Sequence, residues 1–395
     1  MNLLFISPHF PPQFHMFCAA LRRHGVRVLG LGDAPAHELR PELHAALTDY
    51  EGLRDLGDDD GVHRAVALLI SRHGRLGAVE SLNEHWLPLE ARLREDFNVP
   101  GPRPAQMARE RSKSGMKALF QAAGVPCSPG EAYTTPERLR AFAGEHGFPL
   151  ILKPDTGVGA AGTCKVANPR ALEDVLARDQ RGMFVEKWVD GELLSYDGIT
   201  AADGRIVFAT AATYSAGVME LLTEQRNVAY HTLRELPPGM EDHGRRMVAA
   251  FNLQARFFHM EMFRLADGNW CALEANLRPP GGFSTDIMNY ATDADVYDLW
   301  ARVKAGADLP AAPPERRWLA AHVSRRRSRR YARAHDEVVQ LTGDALMYWR
   351  EMPPVLAGAM GDLMYLVRYA EPGPLRDAIA AIHAGGPHPC FPWEQ

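Results

Sequence analysis

Two Asp-Gly pairs constrain this chain more than any other feature. Asp203-Gly204 stands between the strand-like runs Leu193–Thr200 and Arg205–Tyr214, and Asp267-Gly268 joins Ala255–Ala266 to Asn269–Ala275. Asp-Gly between such runs is a strong hairpin signal, because glycine takes the positive φ of a tight turn without steric cost. The middle of the chain is therefore expected to hold antiparallel pairs. The first hundred residues read differently. Leu3–Ser7, Val26–Leu31 and Leu76–Leu82 are short strand-like runs, with helical stretches at Pro11–His24 and His85–Phe97. Strands alternating with helices give a mostly parallel sheet. Ligands bind beyond the carboxyl ends of such strands. Ser7-Pro8-His9 and Asn83-Glu84-His85 fall there, as ligand-facing loops or as plain polar ones.

The second hairpin carries the sharpest chemistry. If Asp267 and Gly268 form the turn, Ala266 pairs with Asn269, and counting outward puts Glu261 opposite Glu274. Side chains opposite one another share a face, with Cβ atoms roughly 4.5–5.5 Å apart. Two carboxylates so placed repel unless a cation lies between them. Alternation adds Asn276 to the face of Glu274. Two carboxylates and an amide oxygen are hard donors suited to Mg2+ or Mn2+. The alternative is an offset turn that sends one glutamate to solvent.

Val99–Pro104 is a rigid, proline-rich boundary. Beyond it, Ser112 is placed to cap a helix ending at Gly124, Thr135-Pro136 to open a second that stops at Gly147, and Asn168-Pro169 a third. Between the strands Phe148–Lys153 and Thr163–Val166 runs a loop holding Gly157, Gly159, Ala160 and Gly162, whose amides can approach a phosphate closely. It is neither a P-loop nor a dinucleotide fingerprint, since no helix begins there. Arg325–Arg330 reads as a solvated basic run or as one that captures an anionic substrate or closes over the active site, His322 as a structural histidine or one titrating near neutrality, and Met347-Tyr348-Trp349 as an aromatic wall or core. Net charge is −5, which gives no sign of nucleic acid or an anionic membrane. No apolar run approaches a membrane span. The five cysteines are scattered without a CxxC pair, so a reducing cytoplasm is expected.

Taken together these pieces resemble the ATP-grasp superfamily of carboxylate–amine ligase type, over roughly residues 106–306. The dipeptide and L-amino acid ligases are similar to it, and biotin carboxylase more distantly. Arg111-Ser112-Lys113 looks like the first ATP-binding lysine segment, and Phe148–Pro154 like the second lysine strand with the glycine loop as phosphate lid. Val185–Gly191 looks like the adenine hinge, and His259-Met260-Glu261 with Leu273–Pro279 like the magnesium strands. The resemblance implies an α/β ATP-grasp fold in three parts. These are a Rossmann-like parallel-sheet domain (1–105), the ATP-grasp domain (106–310, lid about 117–188) and a C-terminal α+β tail (311–395).

It implies that Lys113 and Lys153 contact ATP phosphates together with Gly157, Gly159, Ala160 and Gly162. Glu186, Lys187, Trp188 and Val189 would border adenine. Glu192 would stand in for a ribose-contacting glutamate, the family's usual position being Leu193 here, and Arg226 would add a basic ligand. Glu261, Glu274 and Asn276 would hold Mg2+ or Mn2+. Arg278 and Lys153 would be catalytic, with Arg278, Gly281 and Gly282 receiving the substrate carboxylate. The expected reaction joins a small-molecule carboxylate to an amine through an acyl phosphate, releasing ADP, without nucleic acid or membrane and compatible with a homodimer. Bicarbonate activation of biotin-carboxylase or carbamoyl-phosphate type is the other enzymatic reading, and a nucleotide-binding regulator the non-enzymatic one.

Overall fold

The computed structural model describes residues 1–157, 162–215 and 227–386. Three sheets organise the described residues. The first is parallel, in the order β3 (Asp49–Gly52), β2 (Arg27–Gly32), β1 (Asn2–Ile6), β4 (Ala78–Glu80). The chain winds one way from β1 through β2 to β3 and then crosses to β4 on the other side of β1. The point between β1 and β4 is thus where the strand order reverses, and ligands on such sheets favour that place. Both strands end in left-handed backbone, at Ser7 (φ 53) and Leu82 (φ 54). The helix Asp59–His73 and the edge strand β3 were not anticipated from sequence.

The second sheet is antiparallel, in the order β5 (Gly130–Ala132), β8 (Met183–Lys187), β6 (Leu150–Pro154), β7 (Cys164–Val166). Its helices start where the caps predict. Ser112 Oγ accepts from Gly115 N, Thr135 Oγ1 from Arg138 N, and Asn168 Oδ1 from Ala171 N. Each cap satisfies an amide donor that the first helical turn would otherwise leave open, a contribution of about 1 kcal/mol.

The third sheet has eight strands, in the order β13 (Trp270–Asn276), β12 (Phe257–Arg264), β9 (Glu192–Thr200), β10 (Ile206–Tyr214), β11 (Ala229–Thr232), β14 (Leu319–Arg325), β16 (Leu363–Tyr369), β15 (Leu346–Glu351). It runs across residue 310, so the C-terminal strands extend this sheet instead of building their own. One face of β9, β12 and β13 is apolar. Leu194, Tyr196, Phe258, Met260, Met262 and Ala272 pack against the helices Lys113–Ala122 and Met240–Ala250. Alternation sends Ser195, Asp197, His259 and Glu261 to the opposite face.

At the far end, Phe257 and Ile199 join Phe5 of the parallel sheet and Phe17 of the helix His15–Arg23 around Trp300. Phe17 lies 5.2 Å from Trp300 and 4.6 Å from Tyr297, both edge-on. Truncating such a ring would cost about 3–5 kcal/mol. A buried ionic set beside it ties the same elements. Arg94 meets Glu90 at 2.7 Å and Glu80 at 3.2 Å, Arg256 just before β12 meets Glu90 at 3.0 Å, and Lys304 meets Glu80 at 2.5 Å.

Two expectations need correction. Arg325 and Arg326 are not solvated. Both are buried, Arg325 Nε donating to Ile382 O at 2.6 Å and Arg326 Nη1 to Gly358 O at 3.1 Å. A guanidinium can satisfy several carbonyls at once, which offsets the cost of burying it. Tyr348 and Trp349 are not core either, but exposed on the edge strand β15. His322 is fully buried and stacked on Tyr230 with centroids 4.9 Å apart, and burial pushes its pKa down to about 4. No helix among the described residues is long and apolar enough to cross a membrane.

Candidate active site

The β12–β13 hairpin sets Glu261 opposite Glu274 and His259 opposite Asn276, the pairing counted from sequence. The turn itself differs from the count. Arg264 pairs with Trp270, Leu265 N donates to Asn269 O at 2.8 Å, and Gly268 has φ 84. The loop is thus longer than a two-residue turn. A bulge between Glu261 and Met262 then shifts the register back. The two carboxylates face each other because these two irregularities cancel.

Burial and charge treat the two glutamates differently. Burial pushes Glu261 up, but the His259 hydrogen bond at 3.0 Å, the His259 charge, Arg278 and Lys153 outweigh it, and its pKa falls below the usual carboxylate range. Glu274 goes the other way, raised by burial and by Glu261 beside it, with Lys113 Nζ at 3.6 Å offsetting only part. No three His, Cys, Asp or Glu side chains among the described residues converge as a ready metal cage. The candidate donors are two carboxylates and the Asn276 amide. That set suits a hard divalent ion sharing its shell with phosphate oxygens and water.

Facing this pair is a lysine cluster that sequence reading only half found. Glu186 is buried on β8, with Lys153 Nζ 2.6 Å from one carboxylate oxygen and Lys117 Nζ 3.0 Å from the other. Lys117 also donates to Ser128 O at 2.7 Å and Ser128 Oγ at 2.8 Å. Burial raises the Glu186 pKa, but the two lysines outweigh it and hold it low. Glu186, expected at the adenine border, thus turns its carboxylate toward the lysines. Lys113 sits at the start of its helix. There Asp155, just past β6, accepts from Ser114 N and Ser114 Oγ, both at 2.8 Å, a carboxylate placed where the helix dipole favours it.

Beyond the hinge, Lys165 Nζ lies 3.7 Å over the Trp188 ring, and Lys187 Nζ donates to Phe148 O at 3.3 Å. Val189 follows the end of β8, and Glu192 opens β9, its carboxylate accepting from Thr213 Oγ1 at 3.3 Å. Burial raises the Glu192 pKa. Gly157 and Gly162 flank the loop on the described side, whereas Gly159, Ala160 and Arg226 lie outside the described residues.

Arg278 lies just past the end of β13, so strand alternation no longer fixes it. Its Nη2 still reaches Asn276 Oδ1 at 3.4 Å, and its Nε lies 3.3 Å from Glu84 Oε2. Glu84, from the loop after β4, also takes Arg111 Nε at 2.7 Å. Asn83-Glu84 was thus placed by sequence at a possible ligand end, and the parallel sheet delivers it to Arg278. Gly282 has φ 65, and a side chain there would meet the Met360 methyl at 2.3 Å. Its carbonyl accepts from Gln13, while Gly281 O accepts from Ser284 Oγ at 2.7 Å. Lys117, Asp197 and Ser128 carried no sequence signal, because their partners come from other elements.

Residues 112–191 match a family described as "Carbamoyl-phosphate synthase L chain, ATP binding domain". The chain is 23% identical over 257 residues to the L-arginine-specific L-amino acid ligase of Bacillus subtilis, covering 61% of this chain and 60% of that one. The first curated relatives it matches are spanned over 29% and 60% of their own length. The fold is similar to the L-amino acid ligase of Bacillus licheniformis, with TM-score 0.73 and 18% identity over 96% of this chain and 95% of that one. It is similar too to the biotin carboxylase domain of Hydrogenobacter thermophilus 2-oxoglutarate carboxylase, crystallised with MgADP and bicarbonate. That likeness has TM-score 0.66 and 16% identity over 93% and 86% of the two chains.

Proposed function

We propose that this chain, which has the ATP-grasp fold, is an ADP-forming ligase that joins a carboxylate to an amine through an acyl phosphate. The observation that carries the reading is the half-buried Glu261–Glu274 pair, with Asn276 and Arg278 at one end and Lys113 and Lys153 nearby. No nucleophilic side chain is needed for such chemistry. Phosphoryl transfer asks a protein mainly for positioning and for charge neutralisation.

In this reading Lys113 and Lys153 bind the triphosphate, and Glu186 pairs with Lys153 and Lys117 and fixes their positions. Glu261, Glu274 and Asn276 would hold Mg2+ or Mn2+, which when bound neutralises phosphate oxygens and the charge that develops on them. Val185–Gly191 borders adenine, and Glu192 stands near the ribose. The acceptor carboxylate enters at Arg278, Gly281 and Gly282 and attacks the γ-phosphorus, which breaks its bond to the β,γ-bridging oxygen and leaves ADP. The amine then attacks the acyl carbon and expels phosphate. The division at 105 and 310 belongs to the same proposal, with the last part sharing the central sheet, and so does a cytoplasmic setting. The likeness to amino acid ligases supports amino acids as substrates. The test is a screen of amino-acid pairs, and of bicarbonate, for ADP formation, with products read by mass. ADP release that needs both a carboxylate and an amine supports the ligase, and release with bicarbonate alone would replace it.

A further inference from the structure

Across three neighbouring strands two rows of side chains lie on one face of the central sheet. One row is Asn276, His259, Asp197, and the next is Glu274, Glu261, Ser195. Within them runs an unbroken hydrogen-bonded chain. Tyr214 OH lies 3.0 Å from Ser195 Oγ, Ser195 Oγ donates to Asp197 Oδ2 at 2.7 Å, His259 Nδ1 meets Asp197 Oδ1 at 2.6 Å, and His259 Nε2 meets Glu261 Oε1 at 3.0 Å. Ser195, Asp197 and His259 are all buried. His259 thus bridges the Asp197 and Glu261 carboxylates through its two ring nitrogens. The imidazole cannot turn without breaking both bonds. Glu261 Oε2 accepts no hydrogen bond among the described residues, so the relay holds one oxygen and leaves the other.

We propose that Asp197 and His259 are positioning residues. They lock the Glu261 carboxylate in one rotamer, so that its second oxygen is preset for the divalent cation shared with Glu274 and Asn276. This rests on the metal reading of Glu261 and Glu274 given above. The physical reason is entropy and geometry. A glutamate has three rotatable bonds, and a ligand that is already fixed loses little freedom when the ion binds. A histidine held between a carboxylate and a metal-ligating oxygen does this without itself touching the ion. A purely structural Asp197–His259 pair would add stability and leave the metal affinity untouched.

The experiment uses the full-length protein with ADP and measures Mn2+ binding by the electron paramagnetic resonance of free Mn2+, so that no turnover is required. Asp197→Asn and His259→Gln should weaken Mn2+ binding about tenfold or more, the usual scale for residues that orient a metal ligand. Metal-free ADP affinity should stay within about twofold, and saturating Mg2+ should recover most of the turnover. Folded variants that bind Mn2+ like the wild type would overturn the proposal. Glu261→Gln separates the two levels. If it too leaves Mn2+ affinity unchanged, the metal reading fails, whereas if it alone weakens binding, only the positioning role fails. If both relay variants fail to fold, Ser195→Ala decides. Loss of its bond to Asp197 should weaken Mn2+ about threefold on the same scale, and no change would overturn the relay.

Discussion

Lys153 Nζ lies 2.6 Å from Glu186 Oε1, and both side chains are buried. Since Lys117 occupies the other oxygen at 3.0 Å, one carboxylate neutralises two ammonium groups. Glu186→Gln would leave both lysines buried without a counter-charge, at a cost of about 3–5 kcal/mol. Urea unfolding of the apoprotein should show that loss. The pH dependence follows from the sign. The folded carboxyl titrates below its ordinary value of about 4.3, so its contribution is complete above that pH and lost as the pH falls through the folded value. The gap between wild type and variant should therefore be constant from pH 5 to 8, taken as a rough window, and close only in acid. A gap that closed on the alkaline side would contradict the assignment.

Asp286 presents the opposite case. It sits in the first turn of the helix Ser284–Thr292, and burial raises its pKa to about 6 despite a hydrogen bond from Tyr297. Its Oδ2 has no hydrogen-bond partner. Below about pH 4 both folded and unfolded states carry the proton and the group is neutral to stability. Between that pH and the folded value the unfolded chain releases its proton first, so stability falls as pH rises and stays lower above. The rise to about 6 from the ordinary aspartate value corresponds to about 3 kcal/mol. Stability of the wild type relative to Asp286→Asn should drop by that order between acid and neutral pH, measured by chemical unfolding across the range. A flat difference would show that Asp286 is solvated.

What could be read before the fold was known depended on range. The capping signals at Ser112, Thr135-Pro136 and Asn168-Pro169 involve residues three apart, and each appears where expected. β3, with the sequence Asp-Tyr-Glu-Gly, has little β-forming character and no alternation, and pairing with β2 makes it a strand. The helix Pro104–Arg111 hides behind a proline-rich stretch whose last proline serves as its first residue. The Glu261–Glu274 pairing was legible from one turn, though the turn was longer than counted and a bulge restored it. Lys117 on Glu186, Glu84 on Arg278 and Asp197 on His259 join residues 69, 194 and 62 positions apart in the chain. Such pairs are made by topology, and no local pattern announces them.

Glu274 is raised by burial and by the carboxylate beside it, whereas His259 holds Glu261 low. Glu274→Gln keeps the shape and removes the charge. Turnover at ordinary Mg2+ should fall by about 10²-fold or more if this carboxylate holds the ion that neutralises the transferring phosphate. Steady-state ADP release measured over a Mg2+ series checks it, and wild-type turnover throughout would remove Glu274 from the metal set.

Arg278 stands between Asn276 and Glu84, joining the end of β13 to the loop after β4. Two routes to an activated carboxylate compete. Adenylation releases AMP and pyrophosphate, whereas attack at the γ-phosphorus releases ADP. In the proposed reading, the Arg278 guanidinium beside Asn276, with the glycines 281 and 282 just beyond, would meet the carboxylate at the γ-phosphate and not at the α-phosphate. Arg278→Ala should therefore lower kcat by about 10²–10³-fold, the scale of losing one preorganised donor to developing charge, with ATP affinity by calorimetry changed little. Glu84→Gln should lower kcat less, since Arg278 keeps its charge and loses only an anchor. Hydroxylamine in place of the amine should trap the activated carboxylate as a hydroxamate. Because it traps adenylates as well, the nucleotide must be identified in the same sample. ADP in step with hydroxamate supports γ-phosphoryl transfer through Arg278, and AMP with pyrophosphate would replace that mechanism with adenylation.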